Sequence, residues 1–516
     1  MMGNIQLNYK KLFANSRLDA LALVEGQNYS YEGFESNARG FDTNYFGYNN
    51  LKAGALVKYG DVSSYKNEYS LNSFLGRVNY IISDKYIATA NIRFDGSSKL
   101  GENNKWGFFP SASLAWIMSE EGFLKDVDAV DNFKWRVGYG RTGNQDAISA
   151  YNSLSLMGPS GITTVNGVQT VTYAYNRNSN PDLKWETKDM FDVGFDAAFF
   201  DNKLTATADY YYSRTKDLLY EYDVPVPPFV HPRLLANLGE MENSGVELSL
   251  GVTPLRTKDM ELTIAGNVAF QKNKLLSLSG SYMDQELNAA EYMRLARING
   301  AGFQGGNTYV TYQVVGQPLG VFYLPKSNGI INDGLGTYTY NILNLDDDPS
   351  INLSDGGDRY FAGQAIPKVI LGTNLSFRYK AFDIQTQLNG GFGHKIYNGT
   401  ALSYMNMNTF PTYNVLPDAP EKKIFDSEVT DYWLEKGDYL HIDYVTLGYN
   451  VNVNNLKPWV NGIRITASVD NIHTFTNYSG LSPMINSTTV NSELGLDDKR
   501  FYPLSRTYSI GLNINF

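Results

Sequence analysis

Hydrophobic and polar residues alternate one by one along much of this chain. The pattern is clearest at the end of the sequence, where every second residue is apolar: Tyr508, Ile510, Leu512, Ile514 and Phe516. Successive side chains of a strand point to opposite faces, so this segment predicts a strand with one apolar and one polar face. Such a strand fits a soluble β-sandwich, and it equally fits a membrane barrel whose outer face meets lipid.

The same alternation recurs in segments whose polar face carries charged or amide side chains. The clearest of these segments are Phe133–Gly140, Phe191–Phe199, Val246–Val252, Met260–Gln271 and Ile463–Asp470. Both faces of such strands could not be satisfied in a sandwich core, but a water-filled lumen can satisfy them. The recurrence therefore favours an all-β, antiparallel transmembrane barrel. The alternation changes phase near Tyr444, which predicts a β-bulge there.

The connections between these segments are short on one side and long on the other. Short turns are predicted at Ala14–Ser16, Ser83-Asp84, Asp201-Asn202, Leu255–Lys258 and Lys380-Ala381, with medium links at Ser119–Val130 and Asn454–Asn461. Long segments rich in Tyr, Asn, Gly and Pro are predicted at Gly26–Glu68, Gly143–Leu183, Leu218–Glu242, Asn273–Ile366, Tyr397–Gly437 and Asn477–Pro503. Short periplasmic turns and long extracellular loops are typical of outer-membrane barrels.

Counting strands in this way gives about fifteen, which is an odd number, whereas complete bacterial barrels have an even number. Large plugged transporters have about 22 strands. The sequence is therefore interpreted as the C-terminal part of such a barrel, with residues 1–516 forming one unit without an internal domain boundary. The opening residues Met1–Leu7 enter the alternating pattern directly, so no signal peptide is expected in this chain.

Composition narrows the possible functions. The chain has no cysteine, which excludes disulfides, thiolate metal sites and cysteine nucleophiles. Its net charge of -10 argues against nucleic-acid binding. No apolar run of about 18 residues is present, so no membrane helix is expected. With 38 Tyr and 27 Phe among 516 residues, the aromatic content suits the girdles of a membrane barrel.

Several motifs, in order along the chain, resemble the SusC/RagA family of TonB-linked outer-membrane transporters. Among them are Leu75–Tyr80, Asp95–Gly101, Phe109–Trp116, Asn180–Glu186, Asp209–Tyr212, Val445–Asn450 and Asp470–Thr476. The resemblance spans roughly Leu75 to Phe516. It implies active import of large solutes, oligosaccharide or peptide, through a plugged barrel. It also implies a SusD-like lipoprotein on the outside and the TonB complex as energy source, and the plug that contacts TonB is absent from this sequence.

Candidate binding residues are sparse. Aromatic residues of the first long segment are candidates for stacking against a glycan, although they could equally pack against each other or against a partner protein: Tyr29, Tyr31, Phe34, Tyr45, Phe46 and Tyr48. An acidic loop offers Asp346, Asp348, Asp355 and Asp358 as candidate calcium ligands. Pro349 and the spacing depart from the EF-hand pattern, so a solvated acidic loop is preferred and no metal or cofactor is expected.

Four tryptophans, Trp106, Trp116, Trp135 and Trp185, lie near predicted strand ends and are expected to anchor the girdles. Inner-face carboxylates such as Asp192, Asp196 and Glu247 are explained by a polar lumen without catalysis. No nucleophile elbow, P-loop or metalloprotease motif is present, so no enzymatic activity is expected. A passive porin or adhesin-like barrel is the alternative to a TonB-dependent importer.

Overall fold

The structure is a computed structural model that describes residues 1–56, 58–283, 285–299, 308–453, 459–485, 493–499 and 502–516. Fifteen strands form one continuous sheet in which hydrogen-bonded neighbours are antiparallel. This confirms the predicted strand count and the antiparallel architecture. Within the described residues, no helix is both long and apolar enough to cross a membrane.

The first half of the chain supplies most of the long strands. Their bounds are β1 Met2–Leu12, β2 Ser16–Ser36, β3 Val62–Ile82, β4 Tyr86–Ser97, β5 Trp106–Ile117, β6 Val130–Asn144, β7 Leu156–Val165, β8 Val168–Arg177, β9 Glu186–Phe199, β10 Leu204–Asp223, β11 Arg233–Arg256 and β12 Met260–Ser277. Of these, β7 and β8 form a separate hairpin outside the main sheet. Short 3-10 helices cover Gly47–Ala53 and Met118–Glu120.

The second half mixes barrel strands with short strands of the long connections. Their bounds are β13 Ser279–Tyr282, β14 Gln285–Asn288, β15 Tyr292–Arg294, β16 Thr311–Val314, β17 Val321–Pro325, β18 Ser327–Asn332, β19 Tyr338–Ile342, β20 Arg359–Gln364, β21 Val369–Tyr379, β22 Phe382–Phe392, β23 Lys395–Asn398, β24 Leu434–Lys436, β25 Tyr439–Val451, β26 Gly462–Thr476, β27 Leu496–Asp497 and β28 Thr507–Asn515. Helices α1 and α2 cover Gly399–Tyr404 and Ala419–Lys422, and further 3-10 helices cover Met407–Thr409 and Asp431–Trp433.

The main sheet runs in the order β1-β2-β3-β4-β5-β6-β9-β10-β11-β12-β21-β22-β25-β26-β28. Each long connection therefore leaves the sheet and returns to the neighbouring position. Strands β1 and β28 are the two edges of the described sheet. At the predicted bulge, Asp443 is skipped where β25 changes register between Ile442 and Tyr444 against β26.

The outward face of the sheet carries aromatic pairs near both strand ends. On the short-turn side, Tyr86 stacks with Trp116, with ring centroids 6.4 Å apart, and Phe382 lies 4.5 Å from Tyr449. On the long-loop side, the rings of Phe94 and Phe108 are 4.6 Å apart. Two such belts, separated by aliphatic residues, are typical of a barrel spanning a bilayer.

The inward face is held by ion pairs between neighbouring strands. Arg136 of β6 contacts Asp196 of β9 at 3.2 Å and Asp209 of β10 at 2.6 Å, and Lys134 contacts Asp196 at 2.8 Å. Further along the sheet, Arg464 pairs with Asp383 at 2.7 Å. Charges that would be costly in a closed core are therefore paired on a polar wall, as the alternation predicted.

The predicted long segments are less loop-like than the sequence suggested. Strands β10 and β11 continue their pairing to Asp223 and Arg233, so only residues 224–232 remain of the segment predicted from Leu218 to Glu242. The longest connections contain a hydrophobic core of their own. This core includes Phe322, Tyr397 and Trp433 and lies among the short strands and helices of the connections. The long-loop side therefore consists largely of packed secondary structure.

Candidate functional site

The hairpin of β2 and β3 rises above β4 on the long-loop side. The two strands pair without interruption from Ser16↔Ile82 to Ser36↔Val62. Strand β4 pairs with β3 only as far as Leu71, and the Ser98 N–H donates to the Ser70 carbonyl at 3.0 Å just beyond that point. Residues 62–69 of β3, and the β2 residues opposite them, therefore stand beyond β4.

Four tyrosines line the inward face of this raised hairpin, and we call Tyr31, Tyr65, Tyr29 and Tyr69 the tyrosine ladder. Tyr29 and Tyr69 are directly opposed, and their rings stack at 4.6 Å with planes 13° apart. Tyr31 and Tyr65 continue the row at 5.4 Å. Gly33, opposite Tyr65, makes this possible because a Cβ there would overlap the Tyr65 ring.

The inward direction of the ladder follows from the strand register. Tyr29 and Tyr31 have the same parity on β2 as Asp19, which pairs with Arg17 on the polar wall. The even positions of β2, including Val24 opposite Phe74, belong to the outward apolar face. The ladder therefore faces the space enclosed by the extracellular ends of the strands, and the rings of Tyr29, Tyr31 and Tyr65 remain accessible: Tyr31 is 65% exposed.

Lys99 supports the base of the ladder. Its ammonium lies 4.2 Å from the centre of the Tyr69 ring, a distance typical of a cation–π contact. Because Tyr29 covers one face of that ring, Lys99 takes the other. Burial lowers the pKa of Lys99, and the nearby charge of Asp146 opposes this shift. The stack Tyr29–Tyr69–Lys99 is thus anchored on a largely buried side chain.

Two sequence motifs meet to hold Lys99 in place. The backbone N–H of Gly101 donates to the Leu183 carbonyl at 2.8 Å, and that of Asn103 donates to the Pro181 carbonyl at 3.1 Å. Leu100 and Leu183 are buried with Phe109 in one small core. Segments Asp95–Gly101 and Asn180–Glu186, far apart in the chain, therefore form one platform beneath the ladder.

The aromatic candidates of the first long segment separate into three groups. Tyr29 and Tyr31 lie on β2, in the ladder, whereas a loop was expected there. Phe34 also lies on β2, but on the outward face, opposite Ser64. Tyr45 and Phe46 pack edge to face at 5.2 Å near the hairpin tip. Tyr48 follows in the adjoining 3-10 helix and is 86% exposed.

Sequence reasoning missed Tyr65, Tyr69 and Lys99. The available signal for the tyrosines was their spacing, since Tyr65 and Tyr69 are four residues apart and so fall on one face of a strand. The predicted long segment Gly26–Glu68 includes Tyr65, because Asn, Ser, Glu and Lys dominate the positions around it. No local pattern indicates that Lys99 reaches Tyr69, since that contact depends on the platform.

The acidic loop candidates have different partners. Asp355 pairs with Arg294 at 2.8 Å and accepts a hydrogen bond from Tyr312. Asp358 is buried and accepts from the backbone N–H groups of Leu345 and Asn352, which lower its pKa. Asp346 and Asp348 accept from backbone groups within the loop. Over the described residues, no group of three or more acidic or His side chains converges as a metal site would require.

Of the four tryptophans, Trp106, Trp116 and Trp135 lie on the outward face as expected, each at least 36% exposed. Trp185 does not. It is buried, packs edge to face on Phe109 at 5.4 Å, and belongs to the core beneath the ladder. The expectation of a girdle position for Trp185 was wrong because the Asn180–Glu186 segment turns inward before β9 begins.

Residues 3–472 match the family described as TonB dependent receptor-like, beta-barrel. The sheet, the two aromatic belts and this match define the class of protein: the chain belongs to the family of outer-membrane β-barrels of TonB-dependent receptors. Its relatives place it near SusC. The TonB-dependent receptor SusC of Bacteroides thetaiotaomicron is 27% identical over 525 residues, covering 99% of this chain and 50% of that protein.

A second relative agrees with this family, and a solved structure agrees with the fold. The TonB-dependent receptor P3 of Formosa agariphila is 34% identical over 541 residues, covering 99% of this chain and 52% of that protein. The solved structure of the RagAB peptide transporter matches with a TM-score of 0.78 at 20% identity, covering 100% of this chain and 55% of that one. The chain spans about half the length of the curated relatives it matches.

Proposed function

We propose that this chain is the C-terminal barrel portion of a receptor that imports large nutrients, oligosaccharides or peptides, in a TonB-dependent manner. The observation that carries the proposal is the tyrosine ladder, one stacked and one tilted pair of rings that face inward at the extracellular mouth. Aromatic faces suit the apolar faces of sugar rings and the side chains of peptides. A SusD-like lipoprotein on the outside is the proposed partner. The TonB complex is the proposed energy source, acting through a region that this chain does not cover.

The barrel is proposed to be larger than the described sheet, with about 22 strands. Its support is the sheet itself: β1 and β28 are both edges, and their unpaired backbone groups would be costly in lipid. The coverage of about half of each relative agrees with this proposal. Residues 1–516 would then form one unit of barrel strands, periplasmic turns and extracellular connections.

The test is uptake by cells that carry the full-length receptor. Fluorescently labelled maltoheptaose and a labelled tryptic peptide pool serve as probes for the two substrate classes. We expect energised uptake of at least one probe, and we expect Tyr29→Ala combined with Tyr69→Ala to reduce it at least fivefold. Phe34→Ala is the matched control, because Phe34 lies on the same hairpin but faces outward.

The passive alternative is tested in the same cells. A porin would admit the probes equally well after deletion of tonB, whereas an importer loses uptake. Uptake that survives this deletion supports the porin or adhesin-like alternative. Uptake that depends on TonB but is unchanged in the double Tyr→Ala variant removes the ladder from the substrate path without removing the import function.

A further inference from the structure

An apolar groove of about 410 Å³ lies on the outward face of β21, β22, β25 and β26. Its walls are aromatic and aliphatic, and the small residues Gly448 and Ala467 leave space between them. The main lining residues are Phe377, Tyr379, Phe382, Ile384, Leu447 and Ala467. Asp383 also borders the groove, but it pairs with Arg464 at 2.7 Å on the lumen side. The groove therefore presents an apolar surface to the bilayer.

The groove ends at the short turn of Lys380 and Ala381. The rings of Phe382 and Tyr449, 4.5 Å apart, form one rim at this level. Lys380 stands beside the other rim, with its ammonium 5.4 Å from the centre of the Tyr379 ring. Within the described part of the chain this ammonium makes no salt bridge; the neighbouring Asp259 contacts Lys380 only through backbone atoms, N to O at 2.6 Å.

The position of the turn decides which leaflet the groove faces. Short turns lie on the periplasmic side of outer-membrane barrels, and aromatic belts lie at headgroup level. A lysine at that level extends its charge toward the headgroups while its stem stays on apolar surface. The apolar groove matches the acyl chain of a phospholipid, and the lysine at headgroup depth matches its phosphate.

We propose that this groove binds one glycerophospholipid of the periplasmic leaflet, with an acyl chain against Leu447 and Ala467 and the phosphate against Lys380. A bilayer offers acyl chains everywhere, so selectivity rests on the charge at the rim. The proposal is independent of the imported substrate, since it depends only on the outer-membrane location.

The outward face offers an internal control. A second apolar concavity of about 350 Å³ lies among Leu7, Ala22, Val78, Ala90 and Ile92. It is similar in volume and apolar character, but its lining stops at Tyr9 and Ala90, short of the turns, and the outward lysine nearest to it, Lys11, lies over the Phe13 ring at 4.9 Å. It therefore predicts ordinary lipid contact without headgroup selection.

The experiment is native mass spectrometry of the full-length receptor, purified from outer membranes in detergent and delipidated. The probes are dioleoyl phosphatidylglycerol, dioleoyl phosphatidylethanolamine and dioleoylglycerol, which lacks phosphate. We expect one saturable phospholipid, with dioleoylglycerol binding at least fivefold more weakly. Lys380→Gln should weaken phospholipid binding at least fivefold, and Lys380→Arg should retain it.

Ala467→Phe, which fills the groove, should abolish the saturable binding, whereas Ala90→Phe in the control concavity should leave it unchanged. Heat-modifiable mobility on gels verifies that each variant is folded. Two results would overturn the proposal: equal affinity of dioleoylglycerol and the phospholipids, or wild-type binding by both Lys380→Gln and Ala467→Phe. If Ala467→Phe does not fold, the Lys380 pair of variants decides alone.

Discussion

The ring of Phe516 stacks on Trp459, with centroids 5.6 Å apart and planes 13° from parallel. Trp459 lies in the link between β25 and β26, and Phe516 follows β28. The stack therefore joins that link to the end of β28 on the periplasmic side. Both rings remain more than half exposed. The pair is thus an aromatic clasp at the edge of the sheet, at the depth where girdle residues lie.

Phe516→Asp should strongly reduce assembled receptor, because it removes the clasp and places a carboxylate at the lipid-facing end of the strand that must pair to close the barrel. The measurement is membrane fractionation with immunoblotting of the full-length protein. Phe199→Asp, on the outward face at the end of an internal strand, is the matched control and should have a much smaller effect. Equal losses would mean that Phe516 is an ordinary lipid-facing residue.

Ile264→Arg should reduce the folded barrel, because Ile264 lies on the outward face of β12 opposite Val252 and Leu375. An arginine on the lipid face costs about 2–4 kcal/mol near the bilayer midplane. Thr263→Arg should be tolerated, since Thr263 faces the lumen, where its hydroxyl lies 3.4 Å from that of Thr253. Heat-modifiable mobility on gels distinguishes the two, and similar losses would contradict the assigned faces.

Trp185→Ala should destabilise the barrel by about 3–5 kcal/mol, the usual range for removing a buried aromatic side chain. Trp185 is buried against Phe109. Trp106→Ala is the comparison, because Trp106 is 54% exposed on the outward face. Urea unfolding of the detergent-solubilised receptor measures both; a larger effect at Trp106 would contradict the buried position of Trp185.

Glu121, in the periplasmic link after β5, should give a defined pH dependence. Hydrogen bonds from Tyr86 at 2.6 Å, Lys85 at 3.0 Å and Trp116 at 3.2 Å lower its pKa from 4.5 to about 2. Because the folded pKa is lowered, the stabilisation is fully present above about pH 4.5 and is lost as the pH falls toward about 2.

The corresponding measurement is thermal unfolding of wild type and Glu121→Gln across this range. The difference in midpoint should be constant above pH 5 and should shrink progressively below it. Glu120→Gln is the control, because within the described residues the Glu120 carboxylate makes only a 3.8 Å contact with the exposed Lys125. A difference that is independent of pH would show that the Glu121 carboxylate charge does not stabilise the link.

The exposed strand edge gives a further expectation. Expressed alone with a signal peptide, residues 1–516 should aggregate or be degraded, because β1 would present unpaired backbone groups to lipid. Size-exclusion chromatography in detergent and protease digestion provide the readout. A monodisperse, protease-resistant barrel would contradict the proposal that further strands complete the sheet.

The main sheet could be predicted from the sequence because each strand carries its own period-two signal. Strand number, short turns and the bulge near Tyr444 all follow from local alternation. The upper parts of β2 and β3 could not be predicted as strands. Both of their faces meet water, so polar residues on each face obscure the period-two alternation. Strand β15, Tyr292–Arg294, is too short to show a period, and it is stabilised by pairing with the distant β16.

The candidate site was only partly predictable for a different reason. Tyr29 and Tyr31 are visible as aromatic residues, but their stacking partners lie on the opposite strand, across a long connection. Lys99 precedes a contact between distant parts of the sequence, in which the Gly101 N–H donates to the Leu183 carbonyl. Contacts of this kind depend on tertiary packing, which a single sequence does not display.

On the proposed function, the height of the β2–β3 hairpin makes capture of a solute and its passage two successive steps. From Ser16 to Tyr29, a strand rising about 3.3 Å per residue and tilted by about 40° gains roughly 33 Å, more than the apolar band of about 25 Å. On the proposed function, a solute on the ladder thus still exchanges freely with the medium. Half-saturation of uptake would then be set by this equilibrium, and the maximal rate by the energised step. De-energised cells would fill their ladders while importing nothing.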